Sequence, residues 1–357
     1  MVFRKKKLSE VDKTMGETMK IKGSWLAIFS FLLGLFSFAV RALPQAKPIE
    51  LSYSIFFPAT HKQTLLATEW AKEIEKRTGG RVKITLFPGG TLTPANKCYD
   101  GVEKGLSDLG MSVLAYTRGR FPLTEVIDLP LGYKTGLQAT RLINAYYQKF
   151  QPEELNTVRV MYLHAHGPGL LHTKKPVRTL EDLKGLKIRC TGLAAKIVTS
   201  LGGVPVAMPM GETYDALSRG VVDGSLAPME SLEGWKWGEV VKNTTVSRAV
   251  AYTTGFFVVM NKDRWASLPA DIQKVIEQVN QEWIDKSGKV WDEIDRSGQV
   301  FAAKLGNSFY TLPASEDEKW QAAVRPILDE YVKSMKEKGL PGEEALKFCL
   351  DQLKKAK

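Results

Sequence analysis

Residues Thr179–Met229 read TLEDLKGLKIRCTGLAAKIVTSLGGVPVAMPMGETYDALSRGVVDGSLAPM. The stretch alternates strand and helix patterns. Strands are predicted in LKGLKIR, VPVAMP and VVDGSLAP, and helices from Leu193 to Leu201 and in GETYDALSRG. Strand–helix–strand units of this size predict parallel pairing with right-handed crossovers. In such open sheets, ligands bind at the carboxyl ends of the strands. Arg189 and Ala227, which end the first and third strands, therefore predict the position of a ligand.

Arg189 is the residue that indicates the kind of ligand. Its guanidinium group offers a planar fork of donors that matches a carboxylate in two parallel hydrogen bonds. Between Ile188 and Cys190, in a buried strand, this charge is costly without an anionic partner. From the residues alone, an internal salt bridge with Asp or Glu and a bound carboxylate explain Arg189 equally well.

Three motifs in this stretch carry a resemblance to a known family. They are DLKGLKIR at 182–189, PMGETYDAL at 209–217 and GVVDG at 220–224. Together they resemble the periplasmic solute receptors of TRAP transporters, the DctP family, and the similarity covers nearly all of the chain after residue 46. The resemblance implies an α/β fold with two domains, of the periplasmic-binding-protein type (type II-like). It also implies a cleft between the domains and a long helix that backs both.

The resemblance implies a function as well. A receptor of this family captures a small organic acid by hinge closure and delivers it to the small and large TRAP membrane subunits. The arginine at the Arg189 position forms a salt bridge with the carboxylate of the ligand. The chain is then a periplasmic binding protein that needs no cofactor or metal and has no catalytic residues. An ABC-type receptor and a secreted enzyme that orients a carboxylate with Arg189 are the rival interpretations.

Further pocket positions follow from the resemblance. Together with Arg189, the expected ligand-binding residues are Phe56, His61, Val113, Tyr116, Gly169, Met210, Tyr214, Ala227 and Trp235. Relatives that bind sialic acid have a second arginine at the Gly169 position, an asparagine at Ala227 and an aromatic residue at Met210. Because this chain has no polar side chain at these positions, the expected ligand is a carboxylate with an apolar or aromatic body. A four-carbon dicarboxylate stays the alternative, with His61, His172 or Lys174 as compensating partners.

Charge and composition exclude some classes of protein. The 357 residues carry a formal net charge of +11. Residues 1–46 contain eight basic and three acidic side chains, so five of these net charges belong to this segment and six remain for the rest. After residue 46 no dense basic stripe with interleaved aromatic residues is found, which argues against nucleic-acid binding. A length of 357 residues favours two domains.

The first 46 residues have the pattern of a secretory signal. Trp25–Val40 is an uncharged, mostly apolar run that follows two lysines and precedes the small residues Ala42 and Ala46. The run is shorter than the roughly 20 residues of a membrane-spanning helix, although an uncleaved anchor is the alternative. Met19 begins a more ordinary signal, which makes the preceding residues a possible upstream extension. The pattern predicts export to the periplasm.

The rest of the chain is divided into two predicted domains. Domain I comprises residues 47–166 and 254–294, and domain II comprises residues 167–253 and 295–357. A β-α-β-α-β order opens domain I at Ile49, and one long helix begins at Asp271. Gly288 and Gly298 are expected to weaken this helix by about 1 kcal/mol each relative to alanine. Two amphipathic helices are predicted between Glu316 and Lys357.

The sequence gives little support for catalysis or for a metal site. The chain has no nucleophile elbow, phosphate-binding glycine loop or HExxH motif. Three cysteines, Cys98, Cys190 and Cys349, leave at least one thiol unpaired, and a buried structural thiol is the favoured interpretation of Cys190. His164 and His166 share a strand face that would suit a metal, but two ordinary buried histidines are favoured.

Overall fold

The computed structural model describes residues 47–355, so the predicted signal segment 1–46 lies outside the described residues. The chain first forms β1 (Ile49–Ile55), α1 (Lys62–Arg77), β2 (Val82–Phe87), α2 (Cys98–Glu103), β3 (Leu109–Val113), α3 (Gly136–Phe150) and β4 (Val158–Ala165). It continues with β5 (Leu170–Thr173), α4 (Leu180–Leu183), β6 (Lys187–Cys190), α5 (Ala194–Ser200), β7 (Val204–Ala207), α6 (Met210–Ser218), β8 (Gly224–Ala227), α7 (Ser231–Gly234) and β9 (Asn243–Val246). The last elements are β10 (Gly255–Asn261), α8 (Lys262–Ala266), α9 (Ala270–Lys304), β11 (Ser308–Thr311), α10 (Ala314–Val324), α11 (Pro326–Glu337) and α12 (Gly342–Lys355). Five short 3₁₀ helices lie at Ala95–Lys97, Leu114–Tyr116, Thr124–Asp128, Glu153–Leu155 and Trp237–Glu239.

The first sheet has the strand order β2-β1-β3-β10-β4. Strand β1 pairs in parallel with β2 and β3, which confirms the predicted β-α-β-α-β unit. Strand β10 enters between β3 and β4 and runs antiparallel to both, because the chain comes back to this sheet after building the second one. We call the part of the chain around this sheet the first lobe.

The second sheet has the order β11-β9-β5-β8-β6-β7, and the part of the chain around it is the second lobe. Strand β6 pairs in parallel with β7 and β8, as the alternating pattern predicts. Strand β5 runs antiparallel to β8 and β9. The mixed α/β fold with two sheets, predicted from the sequence, is therefore confirmed.

Helix α9 is the long helix predicted from the sequence. Its 35 residues span roughly 50 Å at about 1.5 Å per residue. It packs against α1, α3 and β4 of the first lobe and against α7 of the second lobe, so one helix supports both. Among residues 47–355, no helix combines the length and the apolar character needed to cross a bilayer.

The two glycines of α9 lie where the helix touches other backbone. A Cβ atom on Gly288 would lie 2.6 Å from the Cα of Leu137, and one on Gly298 would lie 2.4 Å from the carbonyl oxygen of Met229. The expected cost of about 1 kcal/mol for each glycine applies to a helix without neighbours. In the structure, the absence of a side chain at these two positions allows α9 to pack closely against the backbone of Leu137 and Met229.

Three helices, rather than the predicted two, form the C-terminal region. Pro326 begins α11 directly after Arg325, since proline fits the first turn of a helix but not its interior. Helix α10 packs on α5 of the second lobe, and α12 packs on α3 of the first lobe. In the second contact the ring of Phe348 meets Phe150 edge-on, with ring centroids 5.7 Å apart. The C-terminal helices thus contact both lobes.

Candidate ligand-binding site

A cavity of about 30 Å³ lies between the two lobes. It sits at the carboxyl ends of β1, β3, β6 and β8, where the strand–helix pattern places a ligand. The lining residues come from both lobes and from the segments that connect them: Phe56, Phe57, Val113, Tyr116, His166, Arg189, Thr191, Met210, Leu226, Ala227, Pro228, Glu230, Tyr252, Thr254 and Phe256. Six of the ten residues expected from the sequence are among them, namely Phe56, Val113, Tyr116, Arg189, Met210 and Ala227.

Arg189 is a buried cation that lacks an anionic partner in the described part of the chain. Its side chain is 3% exposed, and its Nε donates a hydrogen bond to the carbonyl oxygen of Met208 at 3.0 Å. The buried Nη2 has no hydrogen-bond partner within residues 47–355. None of the ion pairs found there includes Arg189. The internal salt bridge considered as the alternative is thus not found among these residues, and the guanidinium group is available to an anion in the cavity.

Tyr116 connects the lobes beside this arginine. Its hydroxyl oxygen accepts a hydrogen bond from the backbone N–H of Met210 at 3.1 Å, across the cleft. Burial raises the pKa of the Tyr116 hydroxyl, although the nearby Arg189 opposes the shift. The hydroxyl therefore stays protonated at neutral pH and keeps its hydrogen for a ligand.

Aromatic rings form the wall on the first-lobe side. Phe56 meets Tyr116 edge-on at a centroid distance of 5.7 Å and stacks on Phe256 at 6.3 Å. Trp235 stacks on Phe56 at 6.0 Å without lining the cavity, so it supports the wall from behind. Trp237 is fully buried, and the guanidinium carbon of Arg189 lies 5.7 Å from its ring centroid.

Gly169 lies beside the cavity rather than in its lining, and Tyr252 covers it. The N–H of Gly169 donates to the carbonyl oxygen of Tyr252 at 2.7 Å. A Cβ atom on Gly169 would lie only 2.0 Å from Cε1 of the Tyr252 ring. The ring of Tyr252 therefore occupies the space in which any side chain at position 169 would begin.

Four other residues considered in the sequence analysis do not line the cavity. The Tyr214 hydroxyl donates to Oε2 of Glu239 at 3.0 Å, away from the cavity. His172 lies behind the second-lobe wall, where its Nε2 donates to the carbonyl oxygen of Ala227 at 3.1 Å. Burial lowers the pKa of His172 to about 4, so it carries no charge for a second carboxylate. Lys174 does not line the cavity either. His61 lies just behind the lining, where its Nε2 is hydrogen-bonded to Glu230.

Five polar side chains of the lining were not expected from the sequence: His166, Thr191, Glu230, Tyr252 and Thr254. Each lies within three residues of a strand end that faces the cleft, and this position in the sequence could have indicated that they line the cavity. His166 Nδ1 donates to the carbonyl oxygen of Gly167 at 2.5 Å, and burial lowers the pKa of this imidazole to about 4. The cavity therefore offers more polar groups than the expected residues alone suggested.

Asp295, on α9, is held behind this lining. Its Oδ1 accepts a hydrogen bond from the N–H of Glu230 at 2.9 Å, and a Cβ atom on Gly167 would overlap its Oδ2. Burial, together with the nearby carboxylates of Glu230 and Asp292, raises the pKa of the Asp295 carboxyl group from 3.8 to about 8. Because the pKa of Asp295 is higher in the folded state than in the unfolded state, the protonated carboxyl group favours folding. Its contribution to the free energy of unfolding is complete below about pH 4 and is lost as the pH rises toward 8.

We therefore expect Asp295→Asn to become more stable relative to the natural protein as the pH rises from 4 to 8. The amide keeps the acceptor for Glu230 and never ionises, so the free energies of unfolding should diverge by at most about 1.4 kcal/mol per pH unit. Urea denaturation of both proteins at pH 5, 7 and 9 measures this difference. A difference that stays constant with pH would contradict the assignment.

Cysteines and possible metal ligands are the other side chains of the described residues whose surroundings bear on chemistry. Cys98, Cys190 and Cys349 are all buried and unpaired, which agrees with structural thiols. Burial raises the pKa of the Cys190 thiol to about 11, so it is not a reactive thiolate. Within residues 47–355, no group of three or more His, Cys, Asp or Glu side chains could hold a metal ion.

Comparison with known proteins identifies the family. Residues 53–334 match the model of the bacterial extracellular solute-binding proteins, family 7 (DctP). The C4-dicarboxylate-binding periplasmic protein DctP of Rhodobacter capsulatus is 29% identical over 328 residues, which cover 88% of this chain and 95% of that protein.

Two solved structures share the architecture. A marine metagenome TRAP solute-binding protein specific for aromatic acid ligands, in complex with metahydroxyphenylacetate, has a TM-score of 0.83 and 27% identity over 86% of this chain and 99% of its own. The TRAP solute-binding protein of Rhodoferax ferrireducens T118, with copurified benzoate, has a TM-score of 0.82 and 29% identity over 86% and 98%. With the family model matching most of its length, this chain belongs to the DctP family of extracellular solute-binding proteins, the receptors of TRAP transporters.

Proposed function

We propose that this protein is the periplasmic receptor of a TRAP transporter for a small organic acid with an apolar or aromatic body. It delivers this ligand, chemically unchanged, to the membrane subunits. The observation that carries the proposal is Arg189, a buried guanidinium group with an unpartnered Nη2 at the edge of an aromatic cavity. A carboxylate is the anion that its fork of donors fits best.

The lining supports an apolar or aromatic body for the ligand. Phe56, Phe256 and the ring of Tyr252 offer apolar surface to a ligand. Each Å² of apolar surface that ligand binding removes from water contributes about 25 cal/mol to the binding free energy. Aromatic pairs add roughly 0.5–1.5 kcal/mol. The cavity of about 30 Å³ is smaller than the roughly 150 Å³ that accommodates benzene in an engineered core. Entry of a ring therefore requires movement of the lobes or of flexible lining side chains such as Met210.

The relatives favour the same class of ligand. Metahydroxyphenylacetate and benzoate, bound by the two similar structures, each combine one carboxylate with one ring. The Rhodobacter capsulatus relative is named for four-carbon dicarboxylates, which makes these the competing class. Against them, Tyr252 fills the space beside Gly169, and neither His172 nor Lys174 reaches the cavity.

Hinge closure is the proposed binding mechanism. Residues 166–169 and 252–254 connect the two lobes and are bonded to each other, with the Thr253 hydroxyl donating to the carbonyl oxygen of His166 at 2.6 Å. Helix α9 is the third connection, so the proposed domains are 47–166 with 254–294 and 167–253 with 295–357. A ligand that contacts both lobes stabilises the closed arrangement, because only differential affinity shifts such an equilibrium.

A ligand panel tests the proposal. We expect benzoate and its hydroxy and phenylacetate analogues to raise the melting temperature of the mature protein and to bind in calorimetry. Succinate and sialic acid should give no effect. At about 100 times its dissociation constant, a ligand adds about 2.7 kcal/mol to the free energy of unfolding. The tightest binder should also reduce the radius of gyration in solution scattering. Tight binding of succinate or sialic acid, without any aromatic acid, would refute the proposed ligand class.

A further inference from the structure

Glu230 is the second charged side chain in the lining, and it has the sign opposite to Arg189. It follows β8 and is 2% exposed. Its Oε2 accepts a hydrogen bond from Nε2 of His61 at 3.0 Å. Its Oε1 has no hydrogen bond within the described part of the chain. A receptor for an anion thus carries a buried carboxylate in its own binding cavity.

Within the described residues, His61 is the one hydrogen-bond donor to the carboxylate group of Glu230. His61 Nδ1 accepts a hydrogen bond from the backbone N–H of Gln63 at 3.2 Å, so this nitrogen carries no hydrogen. Nε2 is then the ring nitrogen that donates to Glu230. Among residues 47–355, no lysine or arginine lies within ion-pair distance of Glu230.

Glu230 lines the cavity, and a carboxylate oxygen without a donor costs free energy once a ligand displaces the water around it. A donor on the ligand would remove this cost. A second carboxylate on the ligand would instead place two like charges together in a medium of low dielectric constant. Arg189, Tyr116 and Glu230 all line the same small cavity, so a ligand held by Arg189 lies close to Glu230.

We infer that Glu230 determines ligand specificity. Its Oε1 accepts a hydrogen bond from a hydroxyl group on the body of the ligand, and its charge excludes ligands with a second carboxylate at that position. The inference rests on the proposed function, in which Arg189 holds the first carboxylate. It narrows the ligand class from aromatic acids in general to hydroxylated aromatic monocarboxylates.

A purely structural role for Glu230 makes a different prediction. His61 belongs to the first lobe and Glu230 to the second, so their hydrogen bond also holds the lobes together. If this were its only role, removing the charge would change the affinity for every ligand by the same factor. Specificity for one substituent requires contact with that substituent.

The experiment compares the natural protein with Glu230→Gln by calorimetry. Glu239→Gln is the matched control, because Glu239 is exposed and lies outside the cavity. The ligands are benzoate, its three monohydroxy isomers and, at the ring position of the tightest isomer, the methoxy and carboxylate analogues. The methoxy group has the oxygen but not the hydrogen to donate, and the carboxylate adds the second charge.

In the natural protein and the control, the best hydroxybenzoate should bind at least tenfold tighter than benzoate and the methoxy analogue. The dicarboxylate should bind at least a hundredfold more weakly than benzoate. In Glu230→Gln, the affinity for benzoate should stay within about threefold of that of the natural protein. The ratio of the affinities for hydroxybenzoate and benzoate should fall about tenfold, and the affinity for the dicarboxylate should rise at least tenfold. The tenfold figures reflect the weaker hydrogen bond to a neutral acceptor and the absent repulsion.

Two results would overturn the inference while leaving the proposed function in place. Glu230→Gln could change the affinity for all ligands by one common factor, or it could leave the order of affinities unchanged while benzoate still binds. A natural protein that binds none of the aromatic acids would instead overturn the proposed function, and this inference with it.

Discussion

Replacing Arg189 with alanine is expected to weaken binding of the organic acid by a factor of 100 to 1,000 or more. The guanidinium group is the buried cation of the cavity lining, and its Nη2 has no other partner among the described residues. Without it, the ligand carboxylate would be desolvated and unpaired, which costs about 3–5 kcal/mol for a buried charge. Calorimetry with the tightest ligand of the panel measures the loss.

Arg189→Lys tests the geometry of the contact. Lysine keeps the charge but offers a point charge in place of a planar fork, so binding should lie between that of the natural protein and that of the alanine variant. Arg219→Ala is the matched control, because Arg219 is exposed at the end of α6 and does not line the cavity. Its affinity should equal that of the natural protein.

Loss of binding by Arg189→Ala should not result from unfolding. Among the described residues no carboxylate pairs with the buried guanidinium group, which donates to the Met208 carbonyl oxygen, so its removal relieves a desolvation cost. The melting temperature without ligand should therefore stay the same or rise, while the ligand-induced increase disappears. Near-native affinity of the alanine variant would show that another group binds the carboxylate.

Local sequence pattern was sufficient for the opening β-α-β-α-β unit, for β6 to β8, for the long helix α9, and for the edge of the sheet at which the cavity lies. Arg189 and Ala227 were placed from the strand–helix alternation alone, since side chains at the carboxyl ends of parallel strands meet at one edge. Tyr214, a pocket position expected from the family resemblance, does not line the cavity. It lies four residues, or about 6 Å of helical rise, further along α6 than Met210, and its hydroxyl donates to Glu239 instead.

The polar part of the cavity depends on tertiary structure. Glu230 and Tyr252 follow and precede different strands, and neither belongs to a recognisable short motif. Tyr252 covers Gly169 because two connecting segments, 83 positions apart in the chain, run side by side between the lobes. Spacing along the sequence holds no information on such a contact, so the pocket was predicted to be less polar than it is.

Gly288 and Gly298 show that the effect of a substitution on stability also depends on tertiary contacts. Within an isolated helix, glycine costs about 1 kcal/mol relative to alanine, so the sequence predicts that Gly→Ala would stabilise the protein. In the structure, the new Cβ at position 298 would lie 2.4 Å from the Met229 carbonyl oxygen and 3.0 Å from the Cα of Glu230. These are backbone atoms, which have no rotamer by which to move away.

We therefore expect Gly288→Ala and Gly298→Ala each to lower the free energy of unfolding, by about 1–3 kcal/mol. The two positions are ten residues, or roughly 15 Å, apart and contact different segments, so their effects should add in the double variant. Denaturation followed by circular dichroism, at an unchanged slope with denaturant, gives the free energies.

Gly211→Ala provides the control for this prediction. Gly211 is also helical, but a Cβ atom there would lie within 4 Å of no atom beyond its chain neighbours and the backbone of its own helix. Only helix propensity then acts, and this variant should be as stable as the natural protein or more stable by up to about 1 kcal/mol. If Gly288→Ala and Gly298→Ala behaved like Gly211→Ala, helix α9 would have to lie farther from Leu137 and Met229 than the structure places it. The close contact of this helix with both lobes would then be wrong.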